Sequence, residues 1–265
     1  MIIAGLGDVH GKWREAMALV ETACAQAGIQ ASELAFILQV GDAEALRDEA
    51  DAGQVIGPAK YRKLGDFPEV ISGDIVVPAP LYFIAGNHEP YAALDADGGL
   101  VEGAGMWGPG VTYLGRSGVV EIAGLRVGFL SGIFGEHAYR LSEADSLKRR
   151  LGRQAAHYTA QELDKLRVAL NAGVDILVTH DWPTDVAEAG HFGPPGDVRI
   201  RKLIEGYKPI LSLHGHMHTP ASAVIGDTQV ECLAIVGFHG DPMAAVGIWS
   251  LGREERTAEK LSCPR

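Results

Sequence analysis

The chain has 265 residues, of which 47% are hydrophobic, and carries 23 Lys and Arg against 34 Asp and Glu, a formal net charge of -11. That length can bury the core of one domain or of two, and one domain is expected; that charge disfavours broad nonspecific attraction to nucleic acid or anionic membrane. A polyanionic ligand would need a local positive site, which bound metal cations can supply.

The first predicted strand is Ile2 to Leu6, followed by the loop Gly7-Asp8-Val9-His10. From Trp13 to about Gly28, Ala16, Leu19, Val20, Ala23, Cys24 and Ala27 recur at helical spacing. Asp8 and His10 stand two apart, so an extended backbone turns both side chains to one side and makes half of a metal site; an Asp in that place can also cap the helix. A second strand, Leu34 to Val40, runs into Gly41-Asp42. The stretch from there to Pro80 is punctuated by Gly53, Gly57, Pro58, Gly65, Pro68 and Gly73, with a short helical stretch expected around Lys60 to Phe67.

The apolar run Leu81 to Ala85 is a third strand, closed by Gly86-Asn87-His88-Glu89. Asn87 offers a neutral amide oxygen to a cation and His88 a group titrating near neutral pH, although Asn-His after Gly also suits an ordinary turn. Val111 to Leu114, Gly118 to Ile122 and Leu125 to Leu130 read as further strands, the last two joined as a hairpin at Ala123-Gly124. Lys148, Arg149, Arg150 and Arg153 form a basic cluster that reads as a solvated helix face. Thr159-Ala160-Gln161-Glu162 is a capping box opening a helix with Leu163, Leu166 and Leu170 on one side. Strand Val174 to Val178 ends in Thr179-His180-Asp181-Trp182, and strand Pro209 to Leu213, after a helix over Ile200 to Tyr207, ends in His214-Gly215-His216-Met217-His218. Strands over Ala221 to Ile225, Thr228 to Val236 and Ala244 to Leu251 complete a domain of residues 1–251, leaving 252–265 as a polar C-terminal tail.

Five strands thus end in metal-competent residues: Asp8 with His10, Asp42, Asn87 with His88, His180, and His216 with His218. Strand ends on one edge of a sheet converge in space, and this set, all oxygen and nitrogen donors, suits zinc, manganese or iron and is not a thiolate site. It exceeds the needs of one tetrahedral ion, whereas two ions ~3.5–4 Å apart sharing a carboxylate would use it fully. His157, His191, His214 and His239 have no comparable setting and read as packed or surface histidines.

Taken together, Gly7-Asp8-Val9-His10, Gly41-Asp42, Gly86-Asn87-His88-Glu89, Thr179-His180 and Gly215-His216-Met217-His218 resemble the five ordered motifs of the calcineurin-like metallophosphoesterases. The resemblance implies an α/β fold with two mixed β-sheets packed as a sandwich flanked by α-helices, and two divalent metal ions, Mn, Fe or Zn. One would be held by Asp8, His10, Asp42 and His218, the other by Asp42, Asn87, His180 and His216, with Asp42 bridging. His88, outside that ligand set, would be the catalytic proton donor, and a water held between the cations would be the nucleophile. Asp181 or Glu89 could orient a neighbouring imidazole.

Within the family the chain is most similar to the RNA lariat debranching enzymes, at Pro58 to Arg62, Phe83 to Glu89, Tyr113-Leu114-Gly115, Ser131 to Phe134 with His137 and Tyr139-Arg140, and His180 to Pro183. Those enzymes commonly carry Cys where Asp8 stands. The implied substrates are phosphodiesters, nucleotides or branched RNA among them, with Tyr61, Arg62, Arg140 and Trp182 as cationic and stacking contacts. A Ser/Thr protein phosphatase or small-molecule phosphomonoesterase is the alternative, but Ala45 and Leu46 stand where those phosphatases place an Asp-Arg pair. Cys24, Cys232 and Cys263 lack Cys-x-x-Cys spacing and fit reduced thiols; with no apolar run near the ~20 residues of a membrane span and no signal peptide visible, a soluble, cytoplasmic enzyme with no membrane association and no obligate protein partner is expected.

Overall fold

The structure is a computed structural model that describes residues 1–56, 62–103, 105–141, 145, 152–187, 196–252 and 254–261. Its strands are β1 (Ile2–Leu6), β2 (Phe36–Gln39), β3 (Leu81–Phe83), β4 (Met106–Gly108), β5 (Val111–Tyr113), β6 (Ser117–Ile122), β7 (Leu125–Leu130), β8 (Ile176–Thr179), β9 (Leu211–His214), β10 (Ala221–Ile225), β11 (Thr228–Cys232), β12 (Val246–Gly252) and β13 (Thr257–Lys260). They form one sheet in the order β13-β12-β1-β2-β3-β5-β4 and a second in the order β10-β11-β9-β8-β7-β6. Strands β1, β2, β3 and β5 are parallel, as are β7, β8, β9 and β11, with antiparallel partners at the edges.

Both faces of each sheet are covered, which is why the central strands are apolar at almost every position. Alternate residues divide between two cores, as the pleat requires. Ile3, Phe36 and Leu38 face Val127, Phe129, Ile176 and Val178 across the sandwich. Ala4, Leu6 and Ile37 point the other way, onto Trp13, Ala16, Val20 and Ala23 of the helix Trp13–Gln26. Leu130 and Leu177 pack outward beneath the helices Ala160–Leu170 and Val198–Tyr207. At ~1.5–3 kcal/mol for each large apolar side chain removed from water, this alternation fixes the register of the strands whose ends carry the polar loops.

Local signals set several elements. Ala123 and Gly124 both adopt left-handed backbone (φ 49° and 80°), the geometry that closes a two-residue hairpin with the twist of its strands. The capping box is present, with Glu162 N donating to Thr159 Oγ1 at 3.2 Å and Thr159 N to Glu162 Oε2 at 2.8 Å. The helix Trp13–Gln26 is capped from a distance instead: Asp66 accepts from Trp13 N at 2.5 Å and Arg14 N at 3.0 Å, satisfying amides the helix cannot bond itself.

Two expectations change. In the stretch after Asp42 the helices are Glu49–Gln54 and Phe67–Ser72, the second carrying Pro68 in its first turn, where a missing N–H costs nothing; Lys60 and Tyr61 lie outside the described residues. The expected tail from residue 252 is partly a strand, because Thr257–Lys260 pairs antiparallel with Trp249 to Gly252 and Lys260 reaches Glu231 Oε2 at 2.8 Å. Its alternation is too short to show against a polar background.

Candidate metal centre

Strands β1, β2 and β3 of one sheet and β8 and β9 of the other deliver their following loops to one place. The loops after β1 and β2 are tied together, since Val9 N and His10 N both donate to Asp42 O, at 3.0 and 2.9 Å. Three of the motif glycines make room for another motif's side chain, Gly41 for the His180 ring and Gly86 and Gly215 for carboxylates. A Cβ on Gly86 would overlap Asp42 Oδ1, and one on Gly215 would overlap Asp8 Oδ1. Among the described residues, nine other than glycine have left-handed backbone, and five of them, His10, Asp42, Glu44, His216 and His218, belong to these loops. Such conformations cost of order 1–3 kcal/mol each and persist only where the surroundings enforce them.

One donor atom from each of Asp8, His10, Asp42 and His218 lies within 4.8 Å of the others. His10 Nε2 is 3.0 Å from His218 Nε2, His218 Nε2 is 3.3 Å from Asp8 Oδ2, and His10 Nε2 is 3.6 Å from Asp42 Oδ2. On the other side of Asp42, His180 Nε2 lies 3.5 Å from Asp42 Oδ2 and 3.3 Å from Asn87 Oδ1, and the His216 ring centre is 5.2 Å from that of His180. Asp42 Oδ1 accepts from His88 N at 2.8 Å, whereas Asp42 Oδ2 is buried and has no hydrogen-bond partner among the described residues. A buried carboxylate oxygen is not left bare without cost. Its position between two imidazole groups, with further oxygen donors on each side, fits a shared cation ligand.

The charges of the metal-free centre are strongly perturbed. Burial opposes charge on His180, but Asp42 and Asp8 overcome it and raise its pKa to about 10. Burial acts against Asp42 too, yet the positive His180 and His10 hold it well below the usual carboxylate range. Asp8 is pushed up to about 7, chiefly by burial. Burial and the charge of His180 lower His216, and burial and His10 lower His218 to about 4. Protons therefore occupy places that a cation would take over.

The groups that orient the imidazoles differ from those expected. The Asp181 carboxylate accepts from Phe134 N at 3.1 Å and Trp182 N at 2.9 Å, and that of Glu89 accepts from Ala43 N at 2.7 Å; neither carboxylate is hydrogen-bonded to an imidazole among the described residues. His180 Nδ1 meets Val40 O at 2.9 Å, and His10 Nδ1 meets Glu44 Oε1 at 2.8 Å. Glu44 is a site residue the sequence reasoning missed, and its place two residues after Asp42 was the available signal.

His88 lines a cleft of about 580 Å³ together with His10, Glu44, Lys63, Leu64 and His218. Of the expected substrate contacts, Arg62 is exposed and adjoins the cleft residue Lys63 in sequence, and Arg140 is exposed and paired with Glu136 at 2.5 Å. Trp182 is only 1% exposed, so its ring is part of the interior and offers no stacking face; Tyr61 lies outside the described residues. Ala45 and Leu46 are buried, and the nearby Arg47 is engaged by Asp51 at 2.7 Å and stacked on Trp107. His214 is buried against Thr179 Oγ1 and Ser212 Oγ, at 2.8 and 2.9 Å, as a packed histidine. Of the basic cluster, only Arg153 lies within the described residues, and it is exposed.

A family model described as calcineurin-like phosphoesterase matches residues 1–220. Among curated proteins, the lariat debranching enzyme of Schizosaccharomyces pombe is 26% identical over 238 residues, covering 83% of this chain and 50% of that protein. That of Homo sapiens is 30% identical over 246 residues, covering 85% and 43%. The chain spans half or less of the length of these relatives. A solved protein of Thermus thermophilus aligns over 99% of both chains with a TM-score of 0.54 at 13% identity, a likeness of fold alone.

Proposed function

The chain belongs to the calcineurin-like phosphoesterases, and from that premise we propose that it hydrolyses phosphodiesters, branched or 2′,5′-linked ribonucleotides among them, at a centre of two divalent cations of the Mn, Fe or Zn kind. The observation that carries this reading is Asp42 Oδ2, buried, without a hydrogen-bond partner among the described residues, and set 3.6 and 3.5 Å from the imidazoles of two separate donor groups. Asp8, His10 and His218 would complete one half and Asn87, His180 and His216 the other. When bound, the cations supply an activated water and neutralise charge on the phosphoryl oxygens.

The protein's own groups do the rest. Asp42 Oδ1 holds His88 N at 2.8 Å, which sets the start of the His88 side chain on the cleft wall. From there His88 delivers a proton to the leaving ester oxygen. Lys63 puts positive charge on the cleft wall of an acidic protein, which favours local attraction for nucleic acid at the cleft over a broad basic face. A diester is favoured because no arginine follows Asp42 to clamp a terminal phosphate dianion, and Arg47 is already engaged by Asp51. Two of the curated relatives are lariat debranching enzymes, which supports a branched diester as substrate. We place this activity in a reducing compartment such as the cytoplasm, supported by the unpaired, buried Cys24 and Cys232. No helix among the described residues is long and apolar enough to cross a membrane.

The test is kcat/KM for a 2′,5′-dinucleotide, a 3′,5′-dinucleotide, a nucleoside monophosphate and a phosphopeptide. The expected result is that both diesters exceed both monoesters. A monoester preference would return the protein to the phosphatase reading.

A further inference from the structure

The two halves of the centre are held from behind by different chemistry. His180 Nδ1 meets a neutral peptide carbonyl, Val40 O, at 2.9 Å, whereas His10 Nδ1 meets a carboxylate, Glu44 Oε1, at 2.8 Å. Glu44 is not one of the clustered donors, which are Asp8, His10, Asp42 and His218. It is 7% exposed and its backbone is left-handed at φ 43°. A glutamate in that conformation costs free energy, so something in the loop enforces it. The loop supplies the restraints: Ala43 N is held by Glu89 Oε1 at 2.7 Å, Gly11 N donates to Ala43 O at 3.3 Å, and Leu46 N returns to Glu44 O at 2.8 Å.

The proton inventory gives this contact its meaning. A carboxylate only accepts, so His10 Nδ1 carries the proton between them, and a neutral His10 then has its lone pair on Nε2. That Nε2 is the atom 3.0 Å from His218 Nε2 and 3.6 Å from Asp42 Oδ2.

We propose that Glu44 is a positioning residue for His10, fixing the tautomer and ring orientation that present Nε2 to a cation, and that its charge strengthens the Asp8/His10/Asp42/His218 site, adding to the advantage that the Asp8 carboxylate gives it over the Asn87 amide of the other site. This rests on the two-cation reading above. A carboxylate behind a ligating histidine raises its basicity, and removing such a partner typically costs 10- to 100-fold in metal affinity; a peptide carbonyl orients the ring without adding a charge.

The experiment is titration of the metal-stripped protein with Zn²⁺ or Mn²⁺ against a chromophoric chelator, for wild type, Glu44→Gln and Glu44→Ala, with the melting temperature of each stripped protein as the control for folding. Wild type should show two affinity classes. Glu44→Ala should weaken the tighter class ~10- to 100-fold and leave the other within about twofold, and Glu44→Gln, which keeps an acceptor but no charge, should fall between. Equal weakening of both classes, or no weakening in either variant while wild type binds two ions, overturns the role of Glu44 and leaves the phosphoesterase reading standing. Wild type binding no ion overturns both. Glu44→Gln is nearly isosteric and keeps the test decisive should Glu44→Ala fail to fold.

Discussion

His180 and His214 follow or end neighbouring strands, both without exposed surface, yet burial leads them to opposite states. His214 sits in a pocket of neutral groups, Thr179 Oγ1, Ser212 Oγ and the Asp181 carbonyl, and burial drives its pKa to about 3. His180 belongs to the candidate metal centre, the floor on which the strand-end loops meet, where burial is outweighed by Asp42 and Asp8 and its pKa rises to about 10. A strand end and a buried imidazole are common to both regions. What separates a working floor from a packed interior is the buried carboxylate pair, which concentrates negative charge that a cation or proton must balance.

If that division holds, a substitution on the floor should damage chemistry and one in the pocket behind should damage stability. The larger effect is expected at His88. His88→Ala should lower kcat for a diester with a poor leaving group by ~10²- to 10⁴-fold, the usual range for a proton donor, with metal content and melting temperature near wild type. On a nitrophenyl ester, whose leaving group needs less protonation, the loss should shrink. Equal losses on both substrates, or loss of metal, would assign His88 another task.

The smaller effect is expected at His214. His214→Asn should retain metals and most activity but lose roughly 2 kcal/mol through imperfect replacement of buried hydrogen bonds, a fall of roughly 4–8 °C in melting temperature. Its pH dependence has a definite sign. The folded pKa of about 3 lies below the value of 6.5 for an ordinary imidazole, so the unfolded chain takes up this proton first. The stability from this position is complete above pH ~6.5 and is lost as pH falls towards 3. The gap in melting temperature between wild type and His214→Asn should therefore narrow between pH 7 and pH 4; a constant or widening gap would contradict a neutral, packed His214.

The floor was the more legible of the two regions. A metal-competent residue at five strand ends, preceded by glycine at four of them, marks it, and the close approaches of Gly86 to Asp42 and Gly215 to Asp8 give that pattern its steric reason. The hairpin at Ala123-Gly124 and the capping box at Thr159 were readable because each is decided within a few residues. Glu44, the burial of Trp182 and the pairing of Thr257–Lys260 were not. The first depends on a left-handed residue that only the packed loops enforce, the second on how the chain turns after β8, and the third on a partner strand, β12, that a short polar segment does not advertise.

The central claim is one centre shared by two cations through Asp42. Metal-stripped wild type and Asp42→Ala should be titrated with Mn²⁺ or Zn²⁺ while bound metal and hydrolysis of a chromogenic phosphodiester are followed together. The account predicts that wild-type activity is absent in the stripped protein and saturates at two equivalents of bound metal, and that Asp42→Ala weakens binding of both ions and loses activity with them. Activity that saturates at one equivalent or survives stripping, or an Asp42→Ala protein that still holds two ions tightly, would contradict it.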